Sequence, residues 1–338
     1  MIDLQKDVHT RINILTNEEV LVSPHRTQRP WEGKLEKKEE KKEITFDEDC
    51  YLCPTNIRAN GKINPNYKDV FVFTNDFSAL TLNSYTKTYK KGVLLKAQTE
   101  TGICKVICYS PNHSLTFSSM TLDNIEQVIK CWIYEFKELS QLPNINNIQI
   151  FENKGKMMGC SNPHPHGQIW AQQTIPSIIK KKTKRFKKHA EYNNETLLEA
   201  YINQEIELKE RIIYENPDFV VLVPFWAVWP FETMLIPKKG SKNITTLNND
   251  QISSFAKAIK TINNIYDKLF NTNFPYSMGI HQAPVNEKNK GWHWHMIFNP
   301  PLLRSATIKK FMVGYEMFGM PQRDITPEKA AKMLQKLL

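Results

Sequence analysis

The stretch Gly159-Cys160-Ser161-Asn162-Pro163-His164-Pro165-His166-Gly167-Gln168-Ile169-Trp170 decides how the rest of the chain is read. It sets a thiol, a hydroxyl, two imidazoles and an amide close together. In an extended segment side chains alternate, so His164 and His166 fall on the same face. Pro165 has no N–H to give a ladder, which puts the segment at a strand start or an edge. Gly167 lets the backbone approach whatever the imidazoles touch. A core strand does not carry so many polar atoms in a row, and the stretch reads as a reaction site.

Around it are 338 residues, 41% hydrophobic and 11% aromatic, enough for a large core and one to three domains. No apolar run is long enough for a membrane helix, and Met1 to Thr10 lacks a signal-peptide core. The expected compartment is the cytosol, and the six cysteines form no obvious secreted disulfide framework. A formal net charge of +10 favours an anionic partner: nucleic acid, acidic membrane or a phosphorylated small molecule. Much of it lies in Lys180 to Lys188, with a mixed-sign block at Lys34 to Glu43. Both read as solvated insertions. Aromatics are not interleaved as stacking platforms apart from Phe186, so nucleic-acid binding is a weaker reading.

In chain order, Val20 to Arg26 reads as a short strand entering a turn, with Arg26 and Arg29 on a loop bounded by Pro24 and Pro30. Two arginines on such a loop suit phosphate, although ordinary surface arginines look the same. Cys50-Tyr51-Leu52-Cys53 is a C-x-x-C knuckle, for zinc or for redox chemistry. Asp47, Glu48 and Asp49 beside it disfavour a reactive thiolate, which leaves zinc, with the remaining ligands drawn from distant residues. His113, in a polar loop after the strand Gly102 to Pro111, is either such a ligand or a surface histidine. Val70 to Phe77 reads as a buried strand and turn, Leu122 to Leu142 as an amphipathic helix, and Asn147 to Glu152 as a strand. Beyond the basic block, Leu197 to Glu215 reads as one charged helix. Strands follow at Phe219 to Pro224 and Phe231 to Pro237, then a helix from Asp250 to Phe270. Strands at Tyr276 to His281 and Trp292 to Phe298 complete the set, and the last again carries two alternating histidines, His293 and His295. The order strand, strand, helix, strand, histidine strand therefore occurs twice, as in a distant internal duplication.

At the opening stretch the pattern resembles the active-site signature of the galactose-1-phosphate uridylyltransferases, a branch of the histidine-triad superfamily. Further blocks are similar in the same order: Val22 to Arg26, Phe73 to Phe77, Phe151 to Gly155, Trp229 to Thr233, Pro301 to Thr307 and Lys310 to Glu316. The resemblance implies an α+β, HIT-like fold: two duplicated halves of mainly antiparallel sheet with packed helices. The expected division is residues 1–176, holding zinc site and nucleophile, 177–215, holding the basic block and a connecting helix, and 216–338.

It also implies a ping-pong transfer of uridylyl from UDP-glucose to galactose 1-phosphate through His166, with Gln168, Cys160 and Ser161 at the phosphoryl group. Substrate contacts carry over to Arg26, Arg29, Asn75, Asp76, Phe77, Asn153, Gly159, Ser161 and Gln168. The resemblance implies a homodimer with composite sites, in which Lys310, Phe311, Val313, Tyr315, Glu316 and Gln322 reach the neighbouring subunit's site. Zinc would be held by Cys50, Cys53, His113 and His164. Some members hold a second divalent metal, iron or zinc, on three histidines and a glutamate. His281, His293 and His295 match the histidines, but the glutamate's place is Lys182 and the spacing to Pro300-Pro301 is longer, which counts against full occupancy. Rival readings are another nucleotidyl transferase of the superfamily and a basic nucleic-acid-binding protein.

Overall fold

A computed structural model describes residues 2–28, 44–82, 87–287 and 289–338. Arg29 and the mixed-sign block Lys34 to Glu43 lie outside the described residues. In chain order the strands are β1 His9–Ile12, β2 Glu19–Val22, β3 Phe71–Thr74, β4 Thr88–Lys91, β5 Leu95–Gln98, β6 Gly102–Cys108 and β7 Asn147–Lys154. They continue as β8 His166–Gln172, β9 Ile212–Glu215, β10 Phe219–Leu222, β11 Thr233–Pro237, β12 Tyr276–His281, β13 His295–Asn299 and β14 Gln322–Arg323. The helices are α1 Leu122–Ser140, α2 Ser177–Tyr192, α3 Leu197–Leu208, α4 Asn249–Leu269, α5 Tyr315–Phe318 and α6 Pro327–Gln335.

The core is one nine-stranded sheet in the order β3-β6-β8-β7-β12-β13-β11-β10-β9. Every neighbouring pair in it is antiparallel. Read outward from the β7–β12 junction, the first half runs β7, β8, β6, β3 and the second runs β12, β13, β11, β10. The duplicated order legible in the sequence is thus a duplicated topology, and main-chain pairing of Phe151 with Gly279 and its neighbours joins the halves.

One face of this sheet is greasy. Ile107, Ile150, Ile169, Met278, Ile280, Met296 and Phe298 point to it and are buried with α1 and α4. Both helices start on a side-chain cap. Thr121 accepts from the Asn124 N–H, and Asn248 forms a reciprocal capping box with Gln251. Their apolar residues recur at helical spacing, so one stripe of each is dry, including Ile125, Val128, Ile129 and Trp132 on α1. The opposite face carries His166, Gln168, Asn153, Ser277, His281 and His295, by the same two-residue alternation.

Four expectations change. Val70 to Phe77 is not a buried strand: β3 is the outermost strand of its half and its residues are half-buried or exposed. The basic block is no solvated insertion but most of α2, because Ile179, Lys182, Phe186 and Ala190 recur at helical spacing and turn inward. Its cations are partly engaged: Lys181 pairs with Glu18 at 2.7 Å and Arg185 donates to the Ile14 carbonyl. Leu197 to Glu215 is a helix and a strand, since Lys209 adopts a left-handed φ of 54° and ends α3. Last, the second histidine strand begins only at His295, leaving Trp292 to Trp294 outside it.

A buried ion cluster, unmarked by any sequence pattern, ties the chain ends to this core. Arg11 of β1 binds Glu328 of α6 through two N–H···O contacts of 2.7 and 3.0 Å. Arg211 reaches the same carboxylate at 2.8 Å and Glu205 at 2.9 Å. Burial by itself raises the Glu328 carboxyl, but hydrogen bonds and charge from Arg11, with Arg211, hold it down at about 2. Because the folded value lies below the ordinary 4.5, the stabilisation is complete above that pH and is lost as pH falls towards 2. Glu328→Ala, which leaves the buried Arg11 without its carboxylate and Arg211 with Glu205, is expected to lower unfolding stability by about 3 kcal/mol at neutral pH. In urea titrations the gap between wild type and variant should close between pH 4.5 and 2; a gap that does not change with pH would contradict it.

Candidate active site and metal centre

His166 opens β8, and its position is set by the two residues before it. The His166 Nδ1–H donates to the His164 carbonyl at 2.8 Å. Burial, the larger influence, lowers the His166 pKa, while this carbonyl acts in the other direction. The ring is therefore neutral near pH 7 with its lone pair on Nε2, facing the polar side of the sheet. The next carbonyl along, that of Pro165, accepts from the Tyr109 N–H at 2.9 Å.

Two amides flank the ring with matching polarity. Gln168 accepts at Oε1 from the Trp170 indole at 3.0 Å, which leaves its NH2 as donor. Asn153 accepts at Oδ1 from the Ser277 hydroxyl at 2.7 Å, which likewise leaves its NH2. Phe151 pairs with Gln168 across β7 and β8, and extending that register by two residues sets Asn153 opposite His166. A neutral nucleophilic nitrogen between two oriented N–H donors is suited to an anionic phosphoryl group.

His164 turns the other way, into a buried group with Cys50, Cys53 and His113. The four donor atoms lie within 4.8 Å of one another, the only such cluster among the described residues. Both His113 Nδ1 and His164 Nδ1 are 3.5 Å from Cys53 Sγ. His164 Nε2–H is held by the Ser110 carbonyl at 2.9 Å, so Nδ1 keeps its lone pair for the group. Burial pushes the Cys53 thiol up to about 12 and the His164 imidazole down to about 3. Only a cation among them would make thiolates favourable in such a place. Two thiols and two imidazoles, buried and convergent, fit a metal such as zinc.

Two contributors carried no signal of their own. Asn162 accepts at Oδ1 from the His164 N–H at 2.9 Å and donates through Nδ2 to Cys50 Sγ at 3.4 Å. Tyr67 donates to the Leu52 carbonyl at 2.6 Å and lies 3.1 Å from His164 Nε2. Asn162 stood inside the quoted motif; Tyr67 is one tyrosine of twelve.

The remaining expected residues fall into separate places. Gly159 has a left-handed φ of 78°, Ser161 is exposed, and the Cys160 thiol donates to the Asn162 carbonyl. Asn75, Asp76 and Phe77 leave β3 in a turn where Asn75 Oδ1 accepts from the Phe77 N–H at 3.0 Å. Phe77 is 79% exposed and so has a free ring face, while Asp76 accepts from Asn60 and faces Arg58. Arg26 is drawn to Asp324 at 3.0 Å, and Asp324 also accepts from Gln322. Gln322 in turn accepts from Lys310, which pairs with Glu316. Arg26, Lys310, Glu316 and Gln322 thus form one polar chain, beside the exposed Phe311, Val313 and Tyr315. None of these hydrogen bonds reaches His166.

His281, His293 and His295 do not converge. His281 and His295 meet Lys182, and burial, the first cause, holds both rings far below the ordinary imidazole range. His293 points elsewhere, with Nε2 on the Pro237 carbonyl and Nδ1 on the Thr196 hydroxyl, both at 2.7 Å.

Fold and site together define a duplicated antiparallel sheet in which a strand-borne histidine shares the polar face with two amide side chains. Residues 1–176 match the profile described as galactose-1-phosphate uridyl transferase, N-terminal domain, and residues 181–338 match that of the C-terminal domain. The chain is 46% identical to the galactose-1-phosphate uridylyltransferase of Haemophilus influenzae, over 97% of this chain and 94% of that one. It is 45% identical to the Schizosaccharomyces pombe enzyme of that name, over 99% and 96%. A solved uridylyltransferase shares the fold at TM-score 0.76 and 23% identity, covering 97% of each chain. An ADP-glucose phosphorylase from Arabidopsis thaliana shares it at 0.76 and 23%, over 98% of this chain and all of that one. The chain belongs to the galactose-1-phosphate uridylyltransferase family and is a transferase. Among the described residues no helix is long and apolar enough to cross a membrane.

The site has no room beneath β8. A Cβ on Gly167 would lie 2.0 Å from Tyr109 Oη and 3.0 Å from the Phe151 carbonyl. Gly167→Ala is expected to lower unfolding stability by about 1–3 kcal/mol through overpacking. It should also cut turnover by displacing His166; equal urea midpoints and equal rates would contradict this packing.

Proposed function

We propose that the chain transfers the uridylyl group of UDP-glucose to galactose 1-phosphate, yielding glucose 1-phosphate and UDP-galactose. The observation that carries the reading is the His166 ring, with Nδ1–H tied to a carbonyl and the Gln168 and Asn153 side chains beside it on the same sheet face. Nε2 attacks the α-phosphorus, forming a P–N bond as the P–O bond to the glucose 1-phosphate oxygen breaks. The leaving group departs as a phosphate anion and needs no proton. Positive charge that develops on the ring is shared with the His164 carbonyl through Nδ1–H. A phosphate oxygen of galactose 1-phosphate then attacks the same phosphorus, and the P–N bond breaks to regenerate His166. The Gln168 amide N–H donates to a non-bridging phosphoryl oxygen in both halves of the cycle.

Cys50, Cys53, His113 and His164 would hold zinc. A closed four-ligand zinc supplies structure and no reaction step. Here it would fix the strand entry, because His164 presents its ring to the metal group and its carbonyl to the nucleophile. Phe77, with Asn75 and Asp76, is suited to the uracil and ribose, and Ser161, Cys160 and Gly159 to the phosphates. Arg26 would bind phosphate with them, and Arg29, outside the described residues, is proposed for the same role. Lys310, Glu316 and Gln322, bonded to one another near exposed apolar side chains, suit a sugar phosphate across a homodimer interface, which makes each site composite. No disulfide joins the six cysteines, which supports a reducing, cytosolic setting.

A coupled assay that follows glucose 1-phosphate release from UDP-glucose and galactose 1-phosphate tests this reading. Wild type is expected to turn over, and His166→Gly to lose at least about 10³-fold in kcat with its thermal midpoint unchanged. Turnover with ADP-glucose and none with UDP-glucose would point to a different nucleotidyl transferase. Activity retained in His166→Gly would remove the nucleophile assignment.

A further inference from the structure

The second half of the sheet repeats the histidine geometry of the first up to one point. His295 opens β13 as His166 opens β8, and in each case Nδ1 meets the carbonyl two residues earlier, at 3.0 and 2.8 Å. His293 and His164 correspond as well. The His293 Nε2–H is held by the carbonyl of Pro237, which ends β11; that of His164 is held by the carbonyl of Ser110, just beyond β6. β11 and β6 occupy equivalent positions in their halves. The copies part at the remaining nitrogens. His164 Nδ1 faces a thiol, whereas His293 Nδ1 receives the Thr196 hydroxyl. The His295 Nε2, equivalent to the nucleophilic nitrogen, lies 2.7 Å from Lys182 Nζ, and His281 Nδ1 lies 2.8 Å from it.

We infer that Lys182 Nζ takes the place of a metal ion in the second half, so that this histidine group holds no metal and offers no second nucleophile. A lysine nitrogen has donors and no acceptor site while charged, so its two short contacts require lone pairs on both rings. Two imidazole lone pairs converging on one buried point are what a metal would need. That point is filled by an atom of the chain. Lys182 is only 3% exposed and is carried in by α2 between Ile179 and Phe186, so it is packed in and not a passing surface contact. A divalent ion would have to displace Nζ and would find two neutral rings, with the third, His293, already bonded on both nitrogens. A glutamate at 182 would add negative charge to the two lone pairs. Burial lowers the Lys182 pKa to about 7, so its charge opposes a further cation only in the protonated form, whereas Nζ fills the point between the rings in either form. The residues present therefore do not fit the second metal that some members of the family hold, in keeping with the departures at Lys182 and before Pro300-Pro301.

Metal counting decides this without reference to turnover. The full-length protein is incubated with excess Zn2+, dialysed and measured by elemental analysis, and Lys182→Glu and Cys53→Ser are treated in the same way. Wild type is expected to retain one ion per chain and Cys53→Ser none. Lys182→Glu, folded by circular dichroism, is expected to retain two, and its Co2+ form to show an added d–d band. Two ions in wild type, or one in Cys53→Ser, would overturn the inference, as would a folded Lys182→Glu that stays at one. If Lys182→Glu does not fold, the wild-type and Cys53→Ser counts still decide. A count of zero in wild type would remove the first-half zinc and leave the second half metal-free, as inferred.

Discussion

The hydrogen bond from His166 Nδ1–H to the His164 carbonyl is the contact on which the site depends. It fixes the tautomer, and so places the lone pair on Nε2. It fixes the ring plane, because the acceptor is main chain and the strand begins at His166 itself. It also couples the site to the Cys50, Cys53, His113 and His164 group, since one residue supplies both a ring of that group and the accepting carbonyl. Any displacement of His164 is therefore felt at the His166 ring, with only Pro165 between them. Tyr109 adds a second brace, by its N–H to the Pro165 carbonyl and its ring beneath Gly167.

The sheet explains why this arrangement exists once as the proposed reaction site and once as a support. Antiparallel pairing of β7 with β12 makes the two halves one rigid layer, and α1 and α4 bury its apolar face. The polar face is left for chemistry on the β8 side, while α2 covers the β13 side and inserts Lys182. The same strand geometry thus serves two ends, and the difference lies in what meets the second imidazole nitrogen.

Much of this was legible in the sequence. The helical spacing of Ile125, Val128, Ile129 and Trp132 and the alternation along Asn147 to Glu152 carry the core of the first half, because burial of one face leaves a periodic mark. The doubled H-x-H pattern announced the duplication. The basic block was opaque. Its net charge hid an amphipathic period, and a buried lysine looks like any surface lysine until its partners are known. The Arg11–Glu328–Arg211 cluster was invisible because its members are hundreds of residues apart. Likewise Asn162 and Tyr67 act through hydrogen bonds that leave no spacing rule. The strand at Val70 to Phe77 was misjudged because apolar residues on an edge strand read like those of a central one.

The central claim is that His166, and not its duplicate His295, carries the transferred group. Its most direct measurement is peptide mapping by mass spectrometry of protein incubated with UDP-glucose in the absence of acceptor, under alkaline conditions that preserve a phosphoramidate. The account predicts one uridylyl adduct per chain, on the peptide containing His166 and discharged by galactose 1-phosphate. An adduct on the His293 to His295 peptide, or turnover with no protein adduct, would contradict it.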